Sequence, residues 1–277
     1  MITMTVADVM LDHPSWLAAA DGSACRAVRS GRSVWTVACS PRRDDGRQVR
    51  VDLHFGEGPT PVVDVIDPAS VTGSDPVAVA LRAAGPVARL RNPDLWDAIA
   101  TSIVRQVIRA GQARKLYRTF SQEHGDPVVT TAGTGRLFPS PDTVLALPDD
   151  EFARLGMAFK RRPLRAAAEA YLEFSPKWTE LDPHRLLAEI QTVPRIGPWT
   201  AGATVADATN DYTLYPFADL AVRTWAKHLA SERNWPDTEP EFARVWQGLA
   251  AEQLSEWTLL TLAWGVRHAS TTGTVAL

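Results

Sequence analysis

The stretch Val193-Pro194-Arg195-Ile196-Gly197-Pro198-Trp199-Thr200-Ala201 decides the fold. Ahead of it, Asp182-Pro183 caps and opens an amphipathic segment that runs to Thr192. The pattern is helix, tight turn, helix, with the second helix entered at Pro198. Gly197 admits backbone conformations that strain other residues. The first N–H groups of the second helix have no partner within it and lie at the positive end of its dipole. They hold a phosphate oxygen without help from Lys or Arg. That matters because the chain is slightly acidic, with 29 Lys and Arg against 32 Asp and Glu, a net charge of −3 and a pI near 6.1. Such a balance excludes a protein that coats nucleic acid through a broad positive field, but not a local basic groove.

Outward from the hairpin, the chain changes grammar near Pro86. Before it, Val34 to Cys39 is β-branched, Gln48 to Phe55 alternates apolar and polar residues, and Pro61 to Ile66 forms a third strand candidate. Ser40-Pro41-Arg42-Arg43-Asp44-Asp45-Gly46 supplies turn residues between the first two. Such a sheet needs a cover, from the segment near Trp16 or from a helix of the rest of the chain. After Pro86, apolar residues at Ile99, Ile103, Val107, Ala110, Ala113 and Leu116 keep a 3.6-residue rhythm and predict one helix over 98–124. Further helices are expected from Pro141 onward and over 162–174, 182–192, 200–209, 220–233, 239–249 and 255–266. The expected class is α+β: a small antiparallel-sheet domain over 1–85, then a mostly α-helical region over 86–277.

Composition agrees with a folded chain, at 45% hydrophobic and 22% charged residues over 277 residues, with a mean hydropathy of −0.13. No apolar run reaches membrane-spanning length, so no membrane partner is expected. The first ten residues lack the basic start and apolar core of a signal peptide, so a cytoplasmic location is expected, nucleoid-associated in a bacterium. Cys25 and Cys39 cannot build a four-thiolate site, and the six histidines show no close ligand spacing, so no catalytic metal is expected.

The hairpin resembles the helix-hairpin-helix of the base-excision DNA glycosylase superfamily, especially its bacterial alkylpurine (3-methyladenine) DNA glycosylase II branch. Three more stretches are similar to family blocks, in the family's order. Ile103-Val104-Arg105-Gln106-Val107-Ile108 with Ala113-Arg114-Lys115-Leu116 resembles the Gln-bearing wedge loop and the helix after it. Phe138-Pro139-Ser140-Pro141 and Leu155-Gly156-Met157-Ala158-Phe159-Lys160-Arg161 form the second block. Tyr215-Pro216-Phe217-Ala218-Asp219-Leu220-Ala221-Val222-Arg223 resembles the Pro-x-x-Asp segment that bears the catalytic aspartate. The resemblance spans roughly residues 86–267, and two residues depart from it. Arg195 stands at the hairpin's usual first glycine, and Arg109 at a usual small hydroxyl residue of the wedge region.

The resemblance implies a hydrolase that excises alkylated purines and leaves an abasic site, acting on double-stranded DNA that contains a damaged base. Asp219 is the expected catalytic residue; read without the family, it is a helix N-cap, and the two roles are compatible. Trp199 stands where bifunctional members carry a Schiff-base lysine, which implies a monofunctional enzyme. Trp199, Trp264 and Phe159 are candidate walls of a base pocket, although both tryptophans read equally as core. An aromatic pocket of this kind favours cationic bases, by roughly 0.5–2 kcal/mol. Gln106, Val107, Arg109, Lys160, Arg161, Arg195, Ile196, Gly197 and Thr200 are candidate DNA contacts, with Val107 the wedge into the vacated stack unless it is buried. No cofactor is required; a structural monovalent cation on hairpin carbonyls is compatible with the family, and a monomer is expected. Two other readings stay open: a glycosylase specialised for a bulky adduct, and a non-catalytic helix-hairpin-helix protein that binds damaged DNA.

Overall fold

The computed structural model describes residues 1–272. Five strands, β1 (Ile2–Val6), β2 (Leu17–Ala18), β3 (Ala24–Ser30), β4 (Ser33–Cys39) and β5 (Arg47–Phe55), form one antiparallel sheet in the order β1-β5-β4-β3-β2. Val28, Val37, Val49 and Val51 bury one face, which Trp16 helps to cover. The expected strands at 34–39 and 48–55 are β4 and β5. Strand β3 escapes the alternation rule because Arg26 is buried within it. The Arg26 guanidinium, 2% exposed, donates to Asp97 at 3.0 Å.

β6 (Val63–Ile66) and β7 (Val87–Leu90) pair as a separate antiparallel ladder. Between them lies α1 (Pro76–Ala84), capped by Asp75 with Pro76 in its first turn. The reading of residues 1–85 as strands and turns missed this helix. The single helix expected over 98–124 is two, α2 (Leu95–Arg105) and α3 (Ala110–His124), broken at Gln106-Val107-Ile108-Arg109. The rhythm crosses the break because Ile103 and Ala113 enter the same core. Helix α2 is the spine of the helical region, with every residue from Trp96 to Val104 buried.

The hairpin β8 (Pro127–Thr130) and β9 (Gly133–Arg136) precedes α4 (Pro141–Ala146), α5 (Asp149–Arg154) and the long α6 (Ala158–Trp178). Helices α7 (Pro183–Gln191) and α8 (Pro198–Thr209) are the two arms of the quoted hairpin. Then come α9 (Leu220–Leu229), α10 (Glu239–Ala250) and α11 (Leu254–Thr272). Helix α9 stops short of the expected 233, and the Trp235 indole N–H donates to the Ala230 carbonyl there (3.0 Å). One core gathers Trp96, Phe120, Phe138, Phe152 and Trp178. A second joins Val77 and Leu81 of α1 to Tyr212, Phe242, Trp246 and Trp257.

Buried charges tie the sheet side to the helices. Arg89 of β7 donates to Asp12 (2.9 Å), Asp207 (2.6 Å) and the Asn210 carboxamide. Asn92 bridges Asp207 (2.8 Å) and Asp97 (3.0 Å), and Asp97 also accepts from Tyr117 (2.6 Å). Burial opposes the Asp97 charge, but His13 and Arg26 outweigh it and hold the carboxyl well below the usual range. Asp94 caps α2 through the N–H groups of Trp96 and Asp97 (3.0 and 3.3 Å). Burial, and then the Asp97 charge, push its pKa up to about 6.

Because the folded pKa of Asp94 exceeds the unfolded value, the native state favours its protonated form. Stability is lost as pH rises from about 4 through 6, and the loss is complete above that. Asp94→Asn keeps a capping oxygen and removes the charge. In thermal melts followed by circular dichroism, its Tm exceeds that of the wild type by about 2–5 °C at pH 8, and the gain vanishes at pH 4.

Candidate active site

The site is assembled from the break after α2, the α7–α8 hairpin and the start of α9. In the hairpin, the left-handed backbone falls on Arg195 (φ +71°), whereas Gly197 is extended (φ −88°, ψ 179°). The expectation that Gly197 carries the unusual conformation is therefore corrected. The chain turns two residues earlier, at the position where a side chain is least tolerated. Gly197 is the exposed N-cap of α8 and offers no side-chain cap. The first bond inside the helix runs from Ala201 N–H to the Gly197 carbonyl (3.1 Å), leaving the earlier N–H groups for an anion. Ile196 is 5% exposed and packs into the core, so it supports the turn through its side chain. Thr200 is also buried, and its hydroxyl accepts from the Gln106 carboxamide at 2.7 Å.

The same carboxamide reaches the Arg195 carbonyl (3.4 Å), while the Val193 carbonyl accepts from Ile196 N–H (3.1 Å). Two carbonyls of the turn, those of Val193 and Arg195, thus each accept one hydrogen bond. Among the described residues, no three His, Cys, Asp or Glu side chains group to hold a metal.

Gln106 anchors the loop at one end, and Val107 projects from it. Val107 has φ +60° and is fully exposed at 103% of its reference area. A β-branched residue held there costs of order 1–3 kcal/mol, and its apolar surface meets only solvent. The reading of Val107 as a core residue is excluded. Lys160 is corrected in the opposite direction. It is 7% exposed and donates from Nζ to the Gln106 carbonyl at 2.6 Å. Burial lowers its pKa to about 8. It braces the loop from behind, whereas its neighbour Phe159 is 95% exposed and lines neither the Asp219 cleft nor the deeper cavity described below. As placed, the Phe159 ring faces solvent and does not wall either cavity.

Asp219 caps α9, accepting from Val222 N–H (3.0 Å) and from the Tyr215 hydroxyl (2.7 Å). Burial and then the Asp219 charge hold the Tyr215 phenol well above its usual pKa, so it stays a donor. These bonds fix both carboxylate oxygens, and the side chain borders a cleft of about 410 Å³. Trp199, Val107, Arg109 and Arg105 line the same cleft, so the structure brings the hairpin, wedge loop and aspartate together.

Arg105, Ala110 and Ala221 also border a deeper cavity of about 460 Å³ between the sheet region and the helices. Its aromatic walls are Trp16, Tyr212, Tyr215 and Trp225. Trp225 lies against the backbone of Gly265, where a Cβ would overlap the indole. Trp264 does not line this cavity. It stacks on His268 with ring centres 4.7 Å apart and meets Trp225 edge-on at 6.1 Å. Of this contacting pair, Trp225 and not the candidate Trp264 lines the cavity. Tyr215, four residues before Asp219, carries no assigned role in the sequence reading, whereas Arg105, next to Gln106, reads there as one of five cations over 105–118 available for phosphate contact.

The basic residues of α6 and of α3 with its N-cap divide by partner. Arg161 and Arg165 both pair with Asp149 (2.7 Å each), and Arg118 donates to the carbonyls of Pro14 and Trp16. Arg109, Lys115 and Arg162 are exposed, and no ion pair engages them among the described residues.

No family model matches the chain. A curated DNA-3-methyladenine glycosylase of Bacillus subtilis (strain 168) is 25% identical over 181 residues, covering 61% of this chain and 58% of the relative. The chain thus spans less than two thirds of that relative's length. Among solved structures, the 3-methyladenine DNA glycosylase from Archaeoglobus fulgidus superposes with a TM-score of 0.71 at 17% identity, covering 96% of this chain and 99% of that one. The apo 8-oxoguanine glycosylase/lyase of Clostridium acetobutylicum gives 0.66 at 14% identity, with 91% and 89% covered. MBOgg1 in complex with a low-affinity DNA ligand gives 0.66 at 17% identity, with 94% and 90% covered. The chain carries the α+β fold of the helix-hairpin-helix DNA glycosylases and resembles a DNA-3-methyladenine glycosylase in sequence.

Proposed function

We propose that this protein is a monofunctional DNA N-glycosylase that excises alkylated purines. The observation that carries the reading is the Asp219 carboxylate, held by two hydrogen bonds at a cleft bordered by an exposed, strained apolar residue and by the hairpin. Breaking an N-glycosidic bond builds positive charge on the deoxyribose. A preorganised carboxylate stabilises that charge and directs water to C1′. Val107 fills the stack from which the nucleotide is extruded, and the free N–H groups of α8 take a phosphate. No lysine lines either cavity, and Trp199 provides no amine, so the reading ends at an abasic site.

With a duplex carrying one alkylated purine, Asp219→Asn lowers base release by about 10²-fold or more, measured by chromatography of the free base. The product strand of the wild type stays intact until alkali is added. Binding of lesion DNA without Asp219-dependent release would favour the non-catalytic reading instead.

Val107→Gly separates strain from function. Its Tm does not fall below that of the wild type, since relief of the left-handed valine offsets the added chain entropy, while base release drops about tenfold or more. Lesion-DNA affinity also falls with added salt. Charge reversal at Arg162, which is exposed, weakens it without changing base preference, as read by fluorescence anisotropy.

A further inference from the structure

The deep cavity beside Asp219 carries an electrostatic bias that an aromatic pocket for cationic bases does not have. Three arginines, Arg105, Arg114 and Arg118, line it against one carboxylate, Asp12. That carboxylate is already bonded to Arg89 at 2.9 Å. Arg118 is directed to two backbone carbonyls. Arg105 differs: it stands in the last turn of α2, borders both this cavity and the Asp219 cleft, and makes no ion pair or side-chain hydrogen bond among the described residues. Burial opposes its charge, but Tyr215, Asp12 and Asp207 around it keep its pKa above the usual arginine value, so it remains a cation at any working pH.

We propose that Arg105 makes this site select neutral purine lesions with an exposed acceptor edge over cationic ring-methylated purines. This rests on the glycosylase reading above and names its substrate class. A purine turned into the cavity stacks against the aromatic walls, and the Arg105 guanidinium donates to its ring nitrogen or carbonyl oxygen. When the C1′–N9 bond breaks, its electron pair leaves with the base. Water oxygen bonds to C1′, and the proton that the water sheds ends on a base that departs as an anion, or in solvent when the base departs neutral, so no further reactant is needed. A neutral purine becomes negative as it departs, and the nearby guanidinium stabilises that charge in the transition state. A cationic purine departs neutral, gains nothing from the guanidinium, and is repelled by it in the ground state.

The test is single-turnover release from duplexes carrying 1,N6-ethenoadenine or hypoxanthine, both neutral, or the cationic 7-methylguanine. Each rate is divided by the spontaneous loss of the same base, because cationic purines leave readily unaided. The wild-type enhancement for the neutral bases is expected to exceed that for 7-methylguanine at least tenfold. Arg105→Gln shrinks that ratio at least tenfold, and Arg105→Lys restores part of it. A wild-type enhancement that is equal or larger for 7-methylguanine overturns the selection, as does an Arg105→Gln loss that is the same for both classes. If Arg105→Gln does not fold, the wild-type ratio alone decides. Asp219-dependent release with a cationic preference overturns only this inference, whereas no Asp219-dependent release of any base overturns the glycosylase reading with it.

Discussion

The Asp207 carboxylate, near the end of α8, joins the β7 ladder to the start of α2 and to α8. One oxygen accepts from Arg89 of β7 (2.6 Å) and the other from Asn92 ahead of α2 (2.8 Å), while Asn92 N–H reaches the Asp207 backbone carbonyl (2.8 Å). Removing Arg89 would leave the Asp207 charge without its ion-pair partner, a far larger loss than that of a surface ion pair, and removing Asn92 would leave one carboxylate oxygen without its donor. The geometry that follows is functional. The far end of α8 is fixed to the ladder, its near end forms the hairpin, and α2 runs alongside and delivers the wedge loop. The spacing between hairpin and loop is thus set by buried polar bonds and by the packed face of α2, away from solvent.

The loop itself is over-determined. Gln106 bonds forward to Thr200, Lys160 grips its carbonyl from α6, and Val107 between them adopts a backbone conformation that its own side chain disfavours. Such a residue persists only when its surroundings hold it there. The exposed valine is therefore paid for by two braces, of which neither faces outward. The aspartate is treated similarly, since Tyr215 and the α9 N–H hold the carboxylate still before any substrate arrives. Preorganisation of this kind lets electrostatic stabilisation act without further rearrangement.

How much of this was legible differs from element to element. The hairpin, Asp219 and strands β4 and β5 followed from local rules: a turn between capped helices, a family motif, and strict alternation. Strand β3 did not, because Arg26 is polar in sequence and buried in space, its partner lying 71 positions away in Asp97. The break after α2 was hidden because its two flanking helices share one core, so the periodicity continued across residues that are not helical. The lining of the deep cavity was the least legible. Choosing Trp225 over Trp264, or seeing that Phe159 faces water, depends on which side of a helix meets the sheet region, and no window of sequence contains that information.

Gly265 gives the deep cavity a property that no wall residue supplies alone. Its bare backbone is what lets the Trp225 indole recede against α11, so the room available to a guest is set by a carbon atom that is missing. A methyl group at that position would overlap the indole and displace the ring. The room in the chamber is consequently governed in part by the smallest residue in its wall.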